Sequence, residues 1–560
     1  MSDIRQKLVN DAFDRSSALI DYNHNDKNKS KILADESLTK DEKSETIRLL
    51  NEVYDYNKVR YNKGTKRICE NCQEECLATL YCEFCIRNYL KTKFSDWTSE
   101  NNDIDNLIQK CQMESFIPYK IIEWVPYENF QNINYLTRGC YSEIYSADWI
   151  DGSYNEWNSK EKQLKRLGTH EVILKKLGNV ERANGTWFEE TKSHLTLSSK
   201  WPTLVQVNGL TQDLSNGNFM LVMSKMDIDL KNYLQQNHNQ ITWKERINIV
   251  SCIIDALSDI HKENAVHRNL HSGNILYSKY TNQWYISDLG FCGPADKPLN
   301  SIYGNLAYIA PEILTKKKYT FASDIYSIAM LMWEISSGQP PFINYEHNYD
   351  LATNIFNGMR PRIVLGTPLE YKELMKQCWD ADPTKRPHIN ALFSKIGEIN
   401  ELYNQNENNE NQTNNNTINY NSQFNSLSKS KFHNFKNLPE PKNASEEDQE
   451  VYDFNKSYNQ NENIENHSGS SKIYYFKSFP KPKNFAEENN EEKNKSKRIY
   501  SSISNENDQK EDLNNKTKKI KQNESKDIQI YITSEDEEMY INPNLHPEDQ
   551  DKLEIPEGNI

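Results

Sequence analysis

Cys69, Cys72, Cys82 and Cys85 stand as two C-x2-C pairs separated by nine residues. Each such pair turns two thiolates to one face, and soft sulfur ligands favour zinc, so the spacing suits a tetrahedral zinc site. Four thiolates close the coordination shell, which makes the expected role structural. Cys76 is a surplus thiol and an alternative ligand. The plainer reading is a group of buried free cysteines acting as small hydrophobes; the Glu, Asn and Gln around them favour ligands. Farther along, Lys175 ends the apolar run Val172-Ile173-Leu174. An ammonium at the end of a buried strand is costly unless paired with anions. Asn274 and Asp288 offer hard oxygen atoms of the kind magnesium takes.

The run His267-Arg268-Asn269-Leu270-His271-Ser272-Gly273-Asn274 matches the catalytic-loop pattern H-R-D-x-x-x-x-N at every fixed position but one. Asn269 has the shape of aspartate, carries no charge and takes no proton at neutral pH. Asp288-Leu289-Gly290 corresponds to D-F-G. Gly304 to Glu312 reads G-N-L-A-Y-I-A-P-E, like the end of an activation segment of serine/threonine type. On these motifs, residues from about 130 to 400 resemble a eukaryotic protein kinase domain of the tyrosine-kinase-like group. The preceding segment, with its cysteine pairs and the stretch from Trp97 to Tyr127, resembles the N-terminal region of a lineage-expanded set of fungal kinase-like proteins.

The resemblance implies an α+β, bilobal protein-kinase fold that binds ATP and Mg. It assigns the glycine-rich phosphate cover to Thr137–Ile144, with Gly139 the glycine retained and Ile144 at the family's valine. Thr137 and Ser142 replace the outer glycines. Lys175 becomes the phosphate-binding lysine, with Glu190 as its helix partner and Glu189 as the competitor. Met223 falls at the gatekeeper, and Ser224-Lys225-Met226 at the hinge to the adenine. Asn269, Asn274 and Asp288 form the catalytic set, the last two also holding magnesium. His271 stands where serine/threonine kinases carry a lysine. Asp324 ties the catalytic-loop backbone, and Glu312 with Arg386 forms the large-lobe ion pair. Without the motifs downstream, a hairpin, a surface lysine and a core methionine would be the plainer readings of the first three features.

A positioned general base contributes about 10²–10⁴-fold to rate, roughly 3–5.5 kcal/mol of barrier. Asn269 keeps a hydrogen-bonding oxygen but not the charge. Two functions stay open on this basis. One is a signalling pseudokinase that binds nucleotide and acts as scaffold or allosteric partner. The other is an active serine/threonine protein kinase with a weakened base. A third, a nucleic-acid-binding protein led by its zinc module, is opposed by the net charge of −14, because phosphate binding needs a basic field.

The elements that must position these groups follow from periodicity and capping. Thr39 and Glu42 form a T-x-x-E capping box ahead of Ile47, Leu50, Val53 and Tyr54, predicting a helix to about Arg60. Strand-like runs occupy 135–136, 143–146, 172–174 and 219–223, and a helical stripe runs through Ile247, Val250, Ile254, Leu257 and Ile260. The expected organisation is a polar 1–62 with one amphipathic helix, a Cys-pair module over 63–92, a helical connector over 93–128, a kinase-like domain over 129–403 and a disordered tail over 404–560. The chain is 36% hydrophobic, and the deficit lies in that Asn/Glu/Lys-rich tail, which has little apolar surface to offset the entropy of ordering. No apolar run spans a bilayer, and ten cysteines of which half fall between Cys69 and Cys85 do not read as a secreted disulfide framework. The expected setting is cytoplasmic, with the nucleus left open by the basic stretch Lys516 to Lys521; the expected partners are nucleotide and protein, without membrane.

Overall fold

Capping chemistry sets the first long helix where the sequence places it. The computed structural model describes Arg5, residues 8–10, 12–13, 25–138, 142–177, 187–294, 302–315, 318–406, 431–433 and 441–445. Gly139, the stretch from Lys516 to Lys521 and most of the segment beyond 406 lie outside the described residues. Helix α1 spans Asn25–Ala34 and α2 spans Lys40–Tyr61. The Thr39 hydroxyl accepts from the Glu42 N–H, and the Glu42 carboxylate accepts from the Thr39 N–H at 2.8 Å, closing both halves of the capping box. Two short strands, β1 (Arg67–Ile68) and β2 (Glu75–Cys76), then pair antiparallel, followed by α3 (Glu83–Thr92) and α4 (Asn102–Glu114).

Helix α2 finds a partner the sequence does not reveal. Its Asp55 accepts from the Thr79 and Leu80 N–H groups, both at 2.8 Å, and from the Thr79 hydroxyl at 2.7 Å. Nearer its end, the Arg60 guanidinium lies 3.4 Å from the centre of the Trp201 ring, a cation–π contact. In its first half Arg48 reaches the Tyr280 hydroxyl at 3.3 Å. Twenty-two residues at about 1.5 Å each give a rod of roughly 33 Å, long enough to touch the cysteine loop and both lobes.

The small lobe is a six-stranded sheet in the order β3-β9-β10-β8-β5-β4. Its members are β3 (Glu123–Trp124), β4 (Phe130–Arg138), β5 (Glu143–Trp149), β8 (His170–Lys176), β9 (Val207–Asp213) and β10 (Asn218–Ser224). Between β5 and β8 a separate hairpin, β6 (Tyr154–Asn158) with β7 (Gln163–Arg166), folds back onto the cysteine module. Its Trp157 and Leu164 join Tyr81, Ile86 and Ile121 in one apolar cluster. Helix α5 (Trp187–Lys200) packs Leu195 against Val207, Leu210 and Leu221 of the sheet, together with Ile104, Leu107 and Ile108 of α4.

The large lobe is helical. Strand β11 (Ile228–Asp229) leads into α6 (Leu230–Asn237) and α7 (Trp243–Lys262), whose predicted stripe faces the core. Short strands β12 (Ala265–Val266), β13 (Ile275–Ser278), β14 (Gln283–Ile286), β15 (Gly293–Pro294) and β16 (Ile302–Gly304) carry the loops between them. Helices α8 (Pro311–Leu314), α9 (Phe321–Ser337), α10 (Tyr349–Phe356), α11 (Leu369–Cys378) and α12 (Ile389–Asn406) complete the lobe. Residues Ser323 to Ser336 of α9 are all buried, as befits a helix at the centre of a lobe. Two pieces of the segment expected to be a disordered tail pack on this lobe: β17 (Lys431–His433), paired with β16, and residues 441–445. Among the described residues no helix is long and apolar enough to cross a membrane. The strand-rich small lobe over a helical large lobe is the expected α+β kinase layout.

Glu312 and Arg386 meet in the large lobe as a two-pronged pair at 2.7 and 2.8 Å, with the arginine side chain fully enclosed. Two carbonyls, of Asp380 and Ala322, take two further N–H groups at 2.8 Å. Glu312→Ala leaves that buried charge uncompensated and is expected to cost about 3–5 kcal/mol, measurable as a lower urea midpoint by circular dichroism.

Candidate active site between the lobes

Lys175 lies on β8, opposite Ile144 and Leu221 in the sheet register. Strand alternation sends its neighbour Lys176 to the other face, where it pairs with Glu143 at 2.9 Å. Lys175 itself is 7% exposed. Its Nζ contacts Glu190 Oε1 at 3.0 Å and Asp288 Oδ1 at 2.9 Å. Glu189, the competing partner, is exposed. Burial alone would weaken the ammonium, but the two carboxylates outweigh it and hold the Lys175 pKa above the usual lysine range. Likewise burial would raise the Asp288 carboxyl, yet Lys175 holds it well below the ordinary carboxylate range.

The catalytic loop is held by its backbone. Asp324, at the start of α9, accepts from the N–H of His267 at 2.8 Å and of Arg268 at 3.0 Å, and from His261 Nε2 at 3.0 Å. Two residues here adopt left-handed backbone: Arg268 at φ 69° and Asp288 at φ 56°. Such conformations are costly for non-glycine residues and persist where surroundings over-determine them. His267 supplies part of that determination, bonding the Ser287 carbonyl at 3.0 Å just before Asp288.

Asn269 is buried, and its Nδ2 donates to Asp288 Oδ2 at 3.0 Å. Its Oδ1 faces Gly304, 3.4 Å from where a Cβ would stand on that glycine. Asn274 donates to the Asn269 carbonyl at 2.8 Å and reaches Asp288 Oδ2 at 3.5 Å. The hairpin β13–β14 sets this up, since the Asn274 carbonyl accepts both the N–H and the hydroxyl of Ser287, at 2.8 and 3.0 Å. Asn269, Asn274, Asp288, Lys175 and Glu190 thus lie in one continuous contact network.

Around it, Ile144 is half-buried on β5 and pairs with Thr137 across the β4–β5 hairpin. Met223 is buried at the end of β10 and packs with Leu210 and Leu221. Ser224 follows, its N–H bonded to the Gln206 carbonyl at 2.9 Å and its hydroxyl accepting from Asn208 at 3.3 Å. Met226 is partly buried against the same cluster.

The cysteines converge separately from this network. Cys69 Sγ lies 3.6 Å from Cys85 Sγ, and Cys72 Sγ 3.6 Å from Cys82 Sγ; all four sulfurs fall within 4.8 Å of one another. Cys76 is buried on β2 and is not part of the cluster. Arg67 braces the loop between the pairs, donating to the Ala78 and Tyr81 carbonyls at 2.7 and 2.6 Å.

Two buried groups escaped sequence reasoning. His194, one turn beyond Glu190, is fully enclosed, and neither ring nitrogen has a hydrogen-bond partner among the described residues. Burial, then Lys175, holds it neutral. Ligand atoms of Glu190, His194 and Asp288 lie within 4.8 Å of one another, but the Lys175 ammonium already takes the place of a cation between the two carboxylates. Glu334 of α9 is the other. Its carboxylate accepts from the Ser272 hydroxyl at 2.8 Å and the Tyr308 hydroxyl at 2.6 Å, tying the catalytic loop to the activation segment. Nothing marks either residue in sequence, because each acquires its role only through burial.

Burial raises the Glu334 pKa to about 7, from 4.5. A carboxyl whose folded pKa is raised stabilises the fold below its unfolded pKa, and that contribution is lost as pH climbs through the folded value. The chain is therefore expected to lose up to about 3 kcal/mol through this group between pH 4.5 and 7. Glu334→Gln should flatten the profile of urea midpoint against pH across that window.

Comparison with known proteins fits this geometry. Residues 130–396 match the family model of the protein tyrosine and serine/threonine kinases. Over 295 residues the chain is 26% identical to the probable serine/threonine-protein kinase roco7 of Dictyostelium discoideum, covering 50% of this chain and 11% of that protein. It is 31% identical over 275 residues to the dual serine/threonine and tyrosine protein kinase of Pimephales promelas, covering 47% and 28%. It is 30% identical over 211 residues to the dual specificity protein kinase zakA of Dictyostelium discoideum, covering 35% and 27%. The matched region spans little more than a quarter of these relatives at most. With Lys175, Glu190 and Asp288 joined across the cleft, residues 130–396 are a protein kinase domain homologous to serine/threonine and dual-specificity kinases.

Proposed function

We propose that this domain binds ATP with magnesium and serves as a signalling scaffold or allosteric partner, with transfer to protein hydroxyls slow or lost. The observation that carries the reading is the hydrogen bond from Asn269 Nδ2 to Asp288 Oδ2 at 3.0 Å. An amide donor stands where a kinase places its carboxylate base. When bound, ATP and magnesium supply the phosphoryl group and neutralise its charge. Lys175 would hold the phosphates, Glu190 would orient Lys175, and Asp288 with Asn274 would hold the metal. Asn269 Oδ1 would still orient an incoming hydroxyl near Gly304, but takes no proton from it. Thr137 and Ser142 add side chains where the family keeps glycines over the phosphates.

The competing reading, an active serine/threonine kinase with a weakened base, draws support from the names of its relatives. A thermal shift on the full chain tests binding: nucleotide at a hundred times its Kd should stabilise the fold by about 2.7 kcal/mol, and Asp288→Ala should remove the shift. In a transfer assay the intact chain should stay near background, while Asn269→Asp should raise the rate by about 10²–10⁴-fold. Turnover by the intact chain that Asp288→Ala abolishes would overturn the scaffold reading.

The cysteine cluster supports a second assignment, a structural zinc held by Cys69, Cys72, Cys82 and Cys85. Zinc–sulfur bonds of about 2.3 Å set tetrahedral sulfur–sulfur edges of about 3.8 Å, close to the 3.6 Å separations found. Elemental analysis should find one zinc per chain, lost in Cys82→Ser, and chelation should lower the melting temperature.

A further inference from the structure

Strand β17 runs antiparallel to β16 of the activation segment, with Ile302 opposite His433, Tyr303 opposite Phe432 and Gly304 opposite Lys431. His433 is buried, and its Nε2 lies 3.0 Å from the Gly304 carbonyl. The chain then touches the lobe again. The Lys442 N–H donates to the Phe356 carbonyl at 2.9 Å, at the end of α10. The Asn443 side chain accepts from the Ala381 N–H at 2.9 Å and donates to Asp380 at 3.1 Å. Gly358, at φ +100°, lies against this point: a Cβ there would stand 2.0 Å from the Ala444 backbone nitrogen. The surface at Gly358 therefore admits a passing backbone only because it lacks a side chain.

Both anchors fall inside a sequence that the chain carries twice. Ser430 to Glu447 reads SKFHNFKNLPEPKNASEE, and Ser471 to Glu488 reads SKIYYFKSFPKPKNFAEE, 41 residues later, with 10 of 18 positions identical. In a stretch otherwise dominated by Asn, Glu and Lys, this is a retained pattern. The contacting residues recur: Lys431 as Lys472, Lys442 as Lys483 and Asn443 as Asn484. His433 becomes Tyr474, which also offers a donor to a carbonyl. Ala444 becomes Phe485 where the contact uses backbone alone. The P-x-P between the anchors favours an extended conformation and lowers the entropy lost on docking.

One set of contacts with two matching sequences leaves a ligand in surplus. We propose that the large-lobe face formed by Gly304, Phe356, Gly358, Asp380 and Ala381 is a docking site for this repeated peptide. The first repeat covers it within the chain, and residues 471–488 are the ligand for the same face on a second copy.

The test uses the full chain and a labelled synthetic peptide of residues 471–488, read by fluorescence anisotropy. A chain carrying Lys431→Pro, Asn443→Ala and Asn484→Ala, all outside the kinase core, has its own ligands disabled and should bind the peptide at least tenfold more tightly than the intact chain. A peptide carrying Asn484→Ala should bind that opened chain at least tenfold more weakly. Equal binding of the two peptides, or no binding to the opened chain, overturns the docking site. Sedimentation of the intact chain should show concentration-dependent association that Asn484→Ala abolishes. A monomer at every concentration overturns the assignment of the second repeat to a second copy.

Discussion

A single buried ammonium organises the cleft. Lys175 is removed from water on β8, and such a charge is tolerated only with paired, hydrogen-bonded counter-charges. The two it has come from different parts of the fold: Glu190 from α5 at 3.0 Å and Asp288 from the loop after β14 at 2.9 Å. The requirement to neutralise one group therefore fixes a strand, a helix and a large-lobe loop relative to one another. Lys120 continues the constraint at the far end of α5. Its buried Nζ donates to the carbonyls of Ser198 and Trp201 at 3.4 and 3.3 Å, and burial pushes its pKa down to about 7. A donor at the carbonyl end of a helix complements its dipole.

Geometry and chemistry come apart at position 269. Asp324 holds the catalytic loop by two backbone N–H groups, so the loop's path does not depend on the side chain at 269. Arg268 and Asp288 keep their left-handed backbone, and Asn274 keeps its place beside Asp288. This frame is formed with an amide at position 269. What changes is the proton inventory: Asn269 donates to Asp288, whereas a carboxylate there would repel it. The loop is well formed with an amide at position 269.

The site's primary groups were legible because each is a residue type at a fixed offset from others. Lys175, Asn274, Asp288 and Asp324 follow from motif spacing, and the start of α2 from Thr39 and Glu42. What stayed hidden depends on contacts distant in sequence. Arg60 on Trp201 and Arg48 against Tyr280 join residues more than a hundred positions apart. His194 and Glu334 look ordinary on helices until burial strips them of water. The tail pieces escaped for a different reason. A composition argument weighs apolar surface, whereas Lys431–His433 and Asn443 are held by edge pairing and backbone bonds, which composition does not count.

The same contacts bear on where the domain begins. The family match starts at residue 130, after β3 of the small-lobe sheet has already formed. Packing starts earlier too. Ile104, Leu107, Ile108 and Ile122 precede that point and share one core with Leu195 of α5 and Val207, Leu210 and Leu221 of the sheet. Trp157 and Leu164, from a hairpin within the matched region, are buried against Tyr81 and Ile86 beside the cysteines. A chain cut at 130 would expose the back of α5 and leave that hairpin without its cover. The helix that carries Glu190 to Lys175 therefore depends on residues outside the homologous stretch, and the cysteine module is a wall of the small lobe, not an appendage to it.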